Sequence, residues 1–120
     1  MKLLKKKTIA QKRRLRIRKR IIGTEKRLRL AIKFTEKHIY AQCIDDVNGK
    51  TIFYSSTNMK VIRPNGWKPN LEGAAHFGKD FGEKLNKSGI QNVVLDRSGR
   101  LYHGAVKTFA DAVRERGIKF

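Results

Sequence analysis

Asn48-Gly49 stands between two runs that alternate apolar and polar residues, and no other feature restricts the folding of the chain as much. An Asn-Gly pair accepts the positive φ angles of a tight hairpin, so alternating runs on its two sides read as paired antiparallel strands. Upstream, in "HIYAQCID", Ile39, Ala41 and Cys43 fall on one face and His38, Tyr40 and Gln42 on the other. Downstream, "TIFYSST" (51–57) is the returning strand. One run earlier, in "LRLAIKF", Leu28, Leu30, Ile32 and Phe34 point one way and Arg29, Ala31 and Lys33 the other. "TEK" (35–37) joins those two runs tightly, and the result is a three-stranded antiparallel meander over 28–57.

After the meander the period changes. "VIRPNGWKPN" (61–70) holds both prolines and reads as an exposed loop, in which Trp67 is either a contact or, the favoured reading, the cap of a small cluster. Asn70 is placed to N-cap a helix. In that helix Leu71, Ala74, Ala75, Gly78, Phe81, Gly82 and Leu85 recur at helical spacing. Glycine costs about 1 kcal/mol against alanine inside a helix. Close packing of Ala74, Gly78 and Gly82 on a sheet is the expected compensation. Ser88-Gly89 ends the helix. "NVVLD" (92–96) is a continuous apolar strand of the kind buried on both faces. A second helix spans 104–116 through Val106, Phe109, Ala110 and Val113, closed by Gly117. A meander followed by α-β-α implies an α/β fold with a mixed sheet and helices against at least one face.

Charge divides the chain differently. Lys and Arg number 29 against 10 Asp and Glu, a formal net of +19. Residues 1–33 hold 15 basic residues and one acid, Glu25, a net of +14; residues 34–120 hold 14 and 9, a net of +5. A basic arm, residues 1–24, thus precedes a nearly ordinary domain, residues 25–120. Its densest part, "KRRLRIRKR" (12–20), carries seven positive charges in nine positions. Residues 8–22 suit a helix by propensity, but their apolar strip of Leu15, Ile17, Ile21 and Ile22 is thin. Self-repulsion then leaves ordering to a polyanionic partner. The strip has no aromatic residue, which disfavours a membrane-surface helix. A nuclear-localisation label accounts for the arm but not for the rest of the chain.

The polar side of the meander mixes cations, hydrogen-bonders and an aromatic ring: Arg29, Lys33, His38, Tyr40 and Gln42. RNA binders meet phosphates with Arg and Lys and meet bases and riboses with Tyr, His and amide groups. An ordinary solvated sheet face has the same pattern, and the adjoining arm favours RNA. Catalysis is not expected. Strand one has no acid, and Asp45, Asp46 and Asp96 sit at strand ends, where turn-forming is the plainer role. His38, His76, His103 and Cys43 lack metal-ligand spacing. Neither a metal nor a cofactor is expected. A single cysteine allows no intrachain disulfide. "MKLLKKKTIAQK" lacks the apolar run of a secretory signal, so the expectation is a soluble intracellular protein.

Three segments carry a family resemblance: "KHIYAQCIDDVNGKT" (37–51), "SST" (55–57) and "GIQNVVLDRSGRLYHGAVKTFADAVRERGIKF" (89–120). They closely resemble the bacterial form of ribosomal large-subunit protein eighteen, and "RRLRIRKRIIGTEKRLRL" matches that family's basic N-terminal segment in place and character. The resemblance implies a non-catalytic constituent of the large subunit, cytoplasmic or in an organelle ribosome. It would bind 5S rRNA, join it to the large-subunit rRNA in the central protuberance, and abut neighbouring ribosomal proteins. A general RNA-binding or RNA-chaperone module outside the ribosome is the alternative. By position, the resemblance implies RNA contacts from Lys12, Arg13, Arg14, Arg16, Arg18, Lys19, Arg20, Arg27 and Arg29. The meander adds Lys37, His38, Tyr40, Gln42, Ser55, Ser56 and Thr57, beside Lys33, which the pattern of the sheet face contributes. The late turn adds Arg97, Ser98, Arg100, Tyr102, His103, Gly104 and Lys107, and Gly99 beside Ser98 permits the close backbone approach that suits a phosphate. Two positions depart from the family: Leu28 stands where Pro is common, and Ala105 where Arg follows His-Gly. Lys107 or Arg100 is expected to supply that contact.

Overall fold

Alternation of apolar and polar residues becomes alternation of buried and open side chains in three strands, β1 (Leu28–Phe34), β2 (Ile39–Asp45) and β3 (Lys50–Ser56). The computed structural model describes residues 22–97 and 104–120, together with Ile9. The expected helix over 8–22 and the turn around Ser98–His103 lie outside the described residues, apart from Ile9 and Ile22. β1 and β2 pair antiparallel from Arg29↔Ile44 to Phe34↔Ile39. Their connection is closed at both ends: the Thr35 N–H donates to the His38 carbonyl at 2.9 Å, and the His38 N–H donates to Thr35 Oγ1 at 3.1 Å. β2 and β3 pair antiparallel with a bulge between Cys43 and Ile44. Asp45 shapes that hairpin, accepting from the Val47 and Asn48 N–H groups, while Gly49 takes a φ of 63°.

A fourth strand, β4 (Val93–Asp96), runs parallel to β1, so the sheet order is β3-β2-β1-β4. The mixed α/β architecture is as the sequence leads one to expect, but β4 differs in detail. It is an edge strand, and Val94 and Leu95 are only half-buried rather than enclosed on both faces. Val93 and Leu95 serve the covered face, and Val94 lies on the other side beside Arg29. The chain end partly screens its outer edge: the Val93 N–H donates to the Lys119 carbonyl at 3.0 Å, and Asn92 bridges to Lys119 in parallel.

Two helices, α1 (Leu71–Lys87) and α2 (Ala105–Arg114), lie against the face that carries Leu30, Ile32, Ala41 and Cys43. Asn70 caps α1 as expected, its side chain accepting from the Gly73 N–H at 2.8 Å. Phe77, Phe81 and Phe109 are fully buried with ring centroids 5.6–6.0 Å apart, and Phe53 of β3 reaches Phe81 at 5.3 Å. Tilted rings at these separations add to the burial of their area. Gly78 and Gly82 compensate their helix cost against α2, not against the sheet. A Cβ on Gly78 would stand 2.7 Å from Ala112 Cβ, and one on Gly82 would stand 2.9 Å from Arg116 Cβ. The helices therefore touch almost backbone to backbone, and α1 and α2 both sit on one side of the sheet.

Residues 61–70 are more structured than an exposed loop. Arg63–Asn65 form a short 3-10 turn, and Ile62 is buried. Trp67 is half-buried against the core, stacked on His76 with centroids 5.9 Å apart and planes 9° from parallel.

Candidate nucleic-acid interface

α1 and α2 lie on one side, neither covers the other side of the sheet, and the register states which residues share that second side. Lys33, Tyr40 and Ser56 form one cross-strand row. Ala31, Gln42 and Tyr54 form the next. Lys33 is exposed, Tyr40 and Gln42 are half-buried, and Tyr54 is exposed. Lys37 is exposed in the β1–β2 turn. His38 packs edge-on to Tyr40, its ring centroid 6.4 Å away, and its Nδ1 lies 3.1 Å from Thr57 Oγ1. Among the described strand positions of this face, the one acid is Asp96, which is buried.

Arg29 points to this face but is not a solvated cation there. It is 6% exposed. Its Nε and Nη2 donate to the two oxygens of Asp46 at 2.9 and 3.0 Å, and its Nη1 donates to Asp96 Oδ2 at 2.8 Å. The Asp46 hydrogen bonds, and then Asp96, hold the guanidinium pKa above its ordinary value despite burial. Asp46 and Asp96 are thus ion-pair partners rather than turn-formers, whereas Asp45 keeps the turn role. The cover over Arg29 is the segment entering β1. The Gly23 N–H donates to Asp46 Oδ2 at 2.6 Å, and its carbonyl accepts from the Asp46 N–H at 2.9 Å. A Cβ at Gly23 would collide with the Ile44 carbonyl oxygen and the Arg29 backbone nitrogen. Thr24 and Arg27 then close a reciprocal backbone pair, leaving the Arg27 side chain exposed with its Nε 3.5 Å from the Val93 carbonyl.

The other expected contacts divide by burial. Ser55, Ser56 and Thr57 are all buried. Thr57 Oγ1 accepts from the Ile39 N–H at 3.0 Å, and Ser56 Oγ accepts from the Asn58 N–H at 3.0 Å, so these hydroxyls hold the end of β3. Arg97 follows β4 half-buried. Gly104, with φ 60°, stands at the start of α2, and Lys107 is exposed in its first turn. Lys12, Arg13, Arg14, Arg16, Arg18, Lys19 and Arg20 of the arm lie outside the described residues. So do Ser98, Gly99, Arg100, Tyr102 and His103 of the late turn.

Tyr54 is the residue that reading for cations and polar groups passed over. Its signal was present, since Phe53 must face the core for β3 to pair with β2, and the next residue then faces the open side. The helical side is electrically different. Five of the ten acids lie there, and three of them are in local pairs: Lys84–Asp80 at 2.9 Å, Arg116–Glu83 at 3.3 Å and Arg114–Asp111 at 3.6 Å. The arrangement offers a polyanion its open sheet face. Among the described residues, no group of three or more His, Cys, Asp or Glu is placed to hold a metal. No described helix is long and apolar enough to cross a membrane.

Residues 4–120 match the family described as ribosomal L18 of archaea, bacteria, mitochondria and chloroplast. The chain is 46% identical over 121 residues to large ribosomal subunit protein uL18 of Petrotoga mobilis, covering 100% of this chain and 99% of that one. It is 46% identical over 110 residues to the protein of that name from Clostridium botulinum strain Loch Maree, covering 92% and 91%. For Lactobacillus johnsonii the identity is 50% over 109 residues, covering 91% and 90%. These relatives are structural components of ribosomes, in keeping with the expectation of a chain that is not an enzyme. On this match, which leaves out only the first three residues, the chain belongs to the ribosomal L18 family.

Proposed function

We propose that this ribosomal protein is a large-subunit constituent that binds 5S rRNA through its helix-free sheet face and its basic arm. It joins 5S rRNA to the large-subunit rRNA in the central protuberance of the cytoplasmic ribosome, beside neighbouring ribosomal proteins. The observation that carries this reading is the separation of the two faces. The helical side pairs many of its charges locally, while the open side carries Lys33, Tyr40 and Gln42, and the one acid among its described strand positions, Asp96, is paired with Arg29. The sequence similarity, with relatives named as large-subunit proteins, supports the same reading.

Residues 1–24 act as the arm and residues 25–120 as the domain that positions it. The arm supplies long-range attraction and tracks phosphates. If about eight phosphates are neutralised, log K against log salt should slope about −6 to −7. The sheet face contributes shape recognition through Lys33, Lys37, His38, Tyr40 and Gln42. Lys107, Arg97 and the 98–104 turn form a second contact. Arg29, Ser56 and Thr57 support these residues from inside the fold.

The test is binding to purified 5S rRNA in a salt series, with transfer RNA as control and a variant lacking residues 1–20. Selective binding by the whole chain, weakened but still selective in the truncation, is the expected result. Equal affinity for the two RNAs would reduce the chain to a basic RNA binder and overturn the 5S assignment.

A further inference from the structure

Tyr54 is 48% exposed, and among the described residues no hydrogen bond or ring contact engages its side chain. Phe53 beside it turns into the core against Phe81, which sends Tyr54 to the helix-free face. There it stands opposite Gln42, on the diagonal from Tyr40, whose own partner in the register is Ser56. Diagonal positions on adjacent strands lie about 7–8 Å apart, within reach of two aromatic side chains serving one ligand. Ala31, the third member of the Tyr54 row, is small and sits opposite Gln42. Tyrosine favours strands in general, but that preference does not require an aromatic ring to stand open to water on a face with a cation and an amide.

We infer that Tyr54 is a nucleobase-stacking site, forming with Tyr40 and Gln42 a platform for one unpaired base of the bound RNA. The inference rests on the RNA-binding reading above and adds a contact to it. Three observations favour RNA over a protein as occupant. The face has no unpaired acid among its described strand positions, Lys33 lies one row away to meet the phosphate, and Gln42 offers both a donor and an acceptor to a base edge. Stacking on an aromatic ring accepts any base, so the site contributes affinity and orientation rather than sequence choice.

The test compares Tyr54→Thr and Tyr54→Phe with the unaltered chain, on 5S rRNA and on transfer RNA, at several salt concentrations. Threonine keeps the strand preference while removing the ring, and an unchanged unfolding midpoint verifies the fold. Tyr54→Thr should bind its RNA about five- to a hundred-fold more weakly. Tyr54→Phe should stay within about threefold of the unaltered chain, because it retains the stacking ring. Neither removes a charge, so the salt slope should not move, whereas Lys33→Ala should reduce its magnitude by about one. Unchanged affinity of Tyr54→Thr on whichever RNA the chain binds would overturn the stacking site. So would loss of affinity in Tyr54→Phe equal to that in Tyr54→Thr. Loss of selectivity for 5S rRNA in the unaltered chain would instead overturn the assignment of the partner.

Discussion

Arg29 grips Asp46 with two prongs, Nε to Oδ2 at 2.9 Å and Nη2 to Oδ1 at 3.0 Å, and the third edge of its guanidinium reaches Asp96. One side chain of β1 thereby ties together the end of β2, the end of β4 and, through the Gly23 hydrogen bonds to Asp46, the segment from which the basic arm departs. Removing one partner from a buried ion pair leaves the other charge uncompensated, typically costing 3–5 kcal/mol. Asp46 keeps some solvent contact, with 28% of its side chain exposed. Arg29→Ala should therefore cost about 3 kcal/mol in urea unfolding. Arg29→Lys should recover only part of it, because an ammonium cannot fork between two carboxylates. A loss below about 1 kcal/mol would show that the network carries little of the fold.

The α1–α2 contact is equally specific. A Cβ at Gly78 would stand 2.7 Å from Ala112 Cβ and 2.8 Å from the Phe109 carbonyl oxygen. Overpacking costs about 1–3 kcal/mol, against about 1 kcal/mol gained in helix propensity. Gly78→Ala should lower stability by about 1 kcal/mol. Adding Ala112→Gly should make the double variant more stable than the sum of its singles by about the same amount, as neighbouring sites couple. Strict additivity would contradict the close approach.

Burial pushes the Cys43 thiol up to about 12 from an ordinary 9.0. Between these values the unfolded chain ionises its thiol while the folded chain does not, so the unfolded state binds fewer protons and stability falls as pH rises. Below pH 9 the group contributes no pH dependence. Measured by urea midpoints, the stability advantage of the unaltered chain over Cys43→Ala should shrink from about pH 9 upward, by at most about 1.4 kcal/mol per pH unit. Parallel curves would contradict the buried thiol.

Gly104 enters α2 at φ 60° and ψ −133°, with nothing among the described residues within 4 Å of the place a Cβ would take. The cost of substitution is the left-handed backbone conformation. Gly104→Ala should destabilise by about 1–3 kcal/mol, and a smaller effect in thermal melts would mean that the backbone relaxes there freely.

The meander was legible because period-two alternation reports directly which way each side chain points, and Asn48-Gly49 supplied the turn. The Asn70 cap was legible for a similar local reason. Arg29 was not, because alternation says which face a residue takes but not whether another segment crosses over it, and Gly23 does. Spacing showed that Gly78 and Gly82 admit a close neighbour, yet only the topology makes that neighbour α2. Likewise "NVVLD" declared its apolar character but not its place at the sheet edge. The face taken by Tyr54 followed from Phe53 facing the core, but its place opposite Gln42 needed the β2–β3 register, which depends on a bulge that no residue type announces.

The most direct measurement for the proposed RNA interface is ultraviolet cross-linking of the full chain to 5S rRNA, with the linked peptides identified by mass spectrometry. Cross-links should fall in the basic arm and on the helix-free face, at Tyr40 and Tyr54 among the described residues. Cross-links concentrated on the outer side of α1 and α2, with none in 33–42 or at Tyr54, would contradict it.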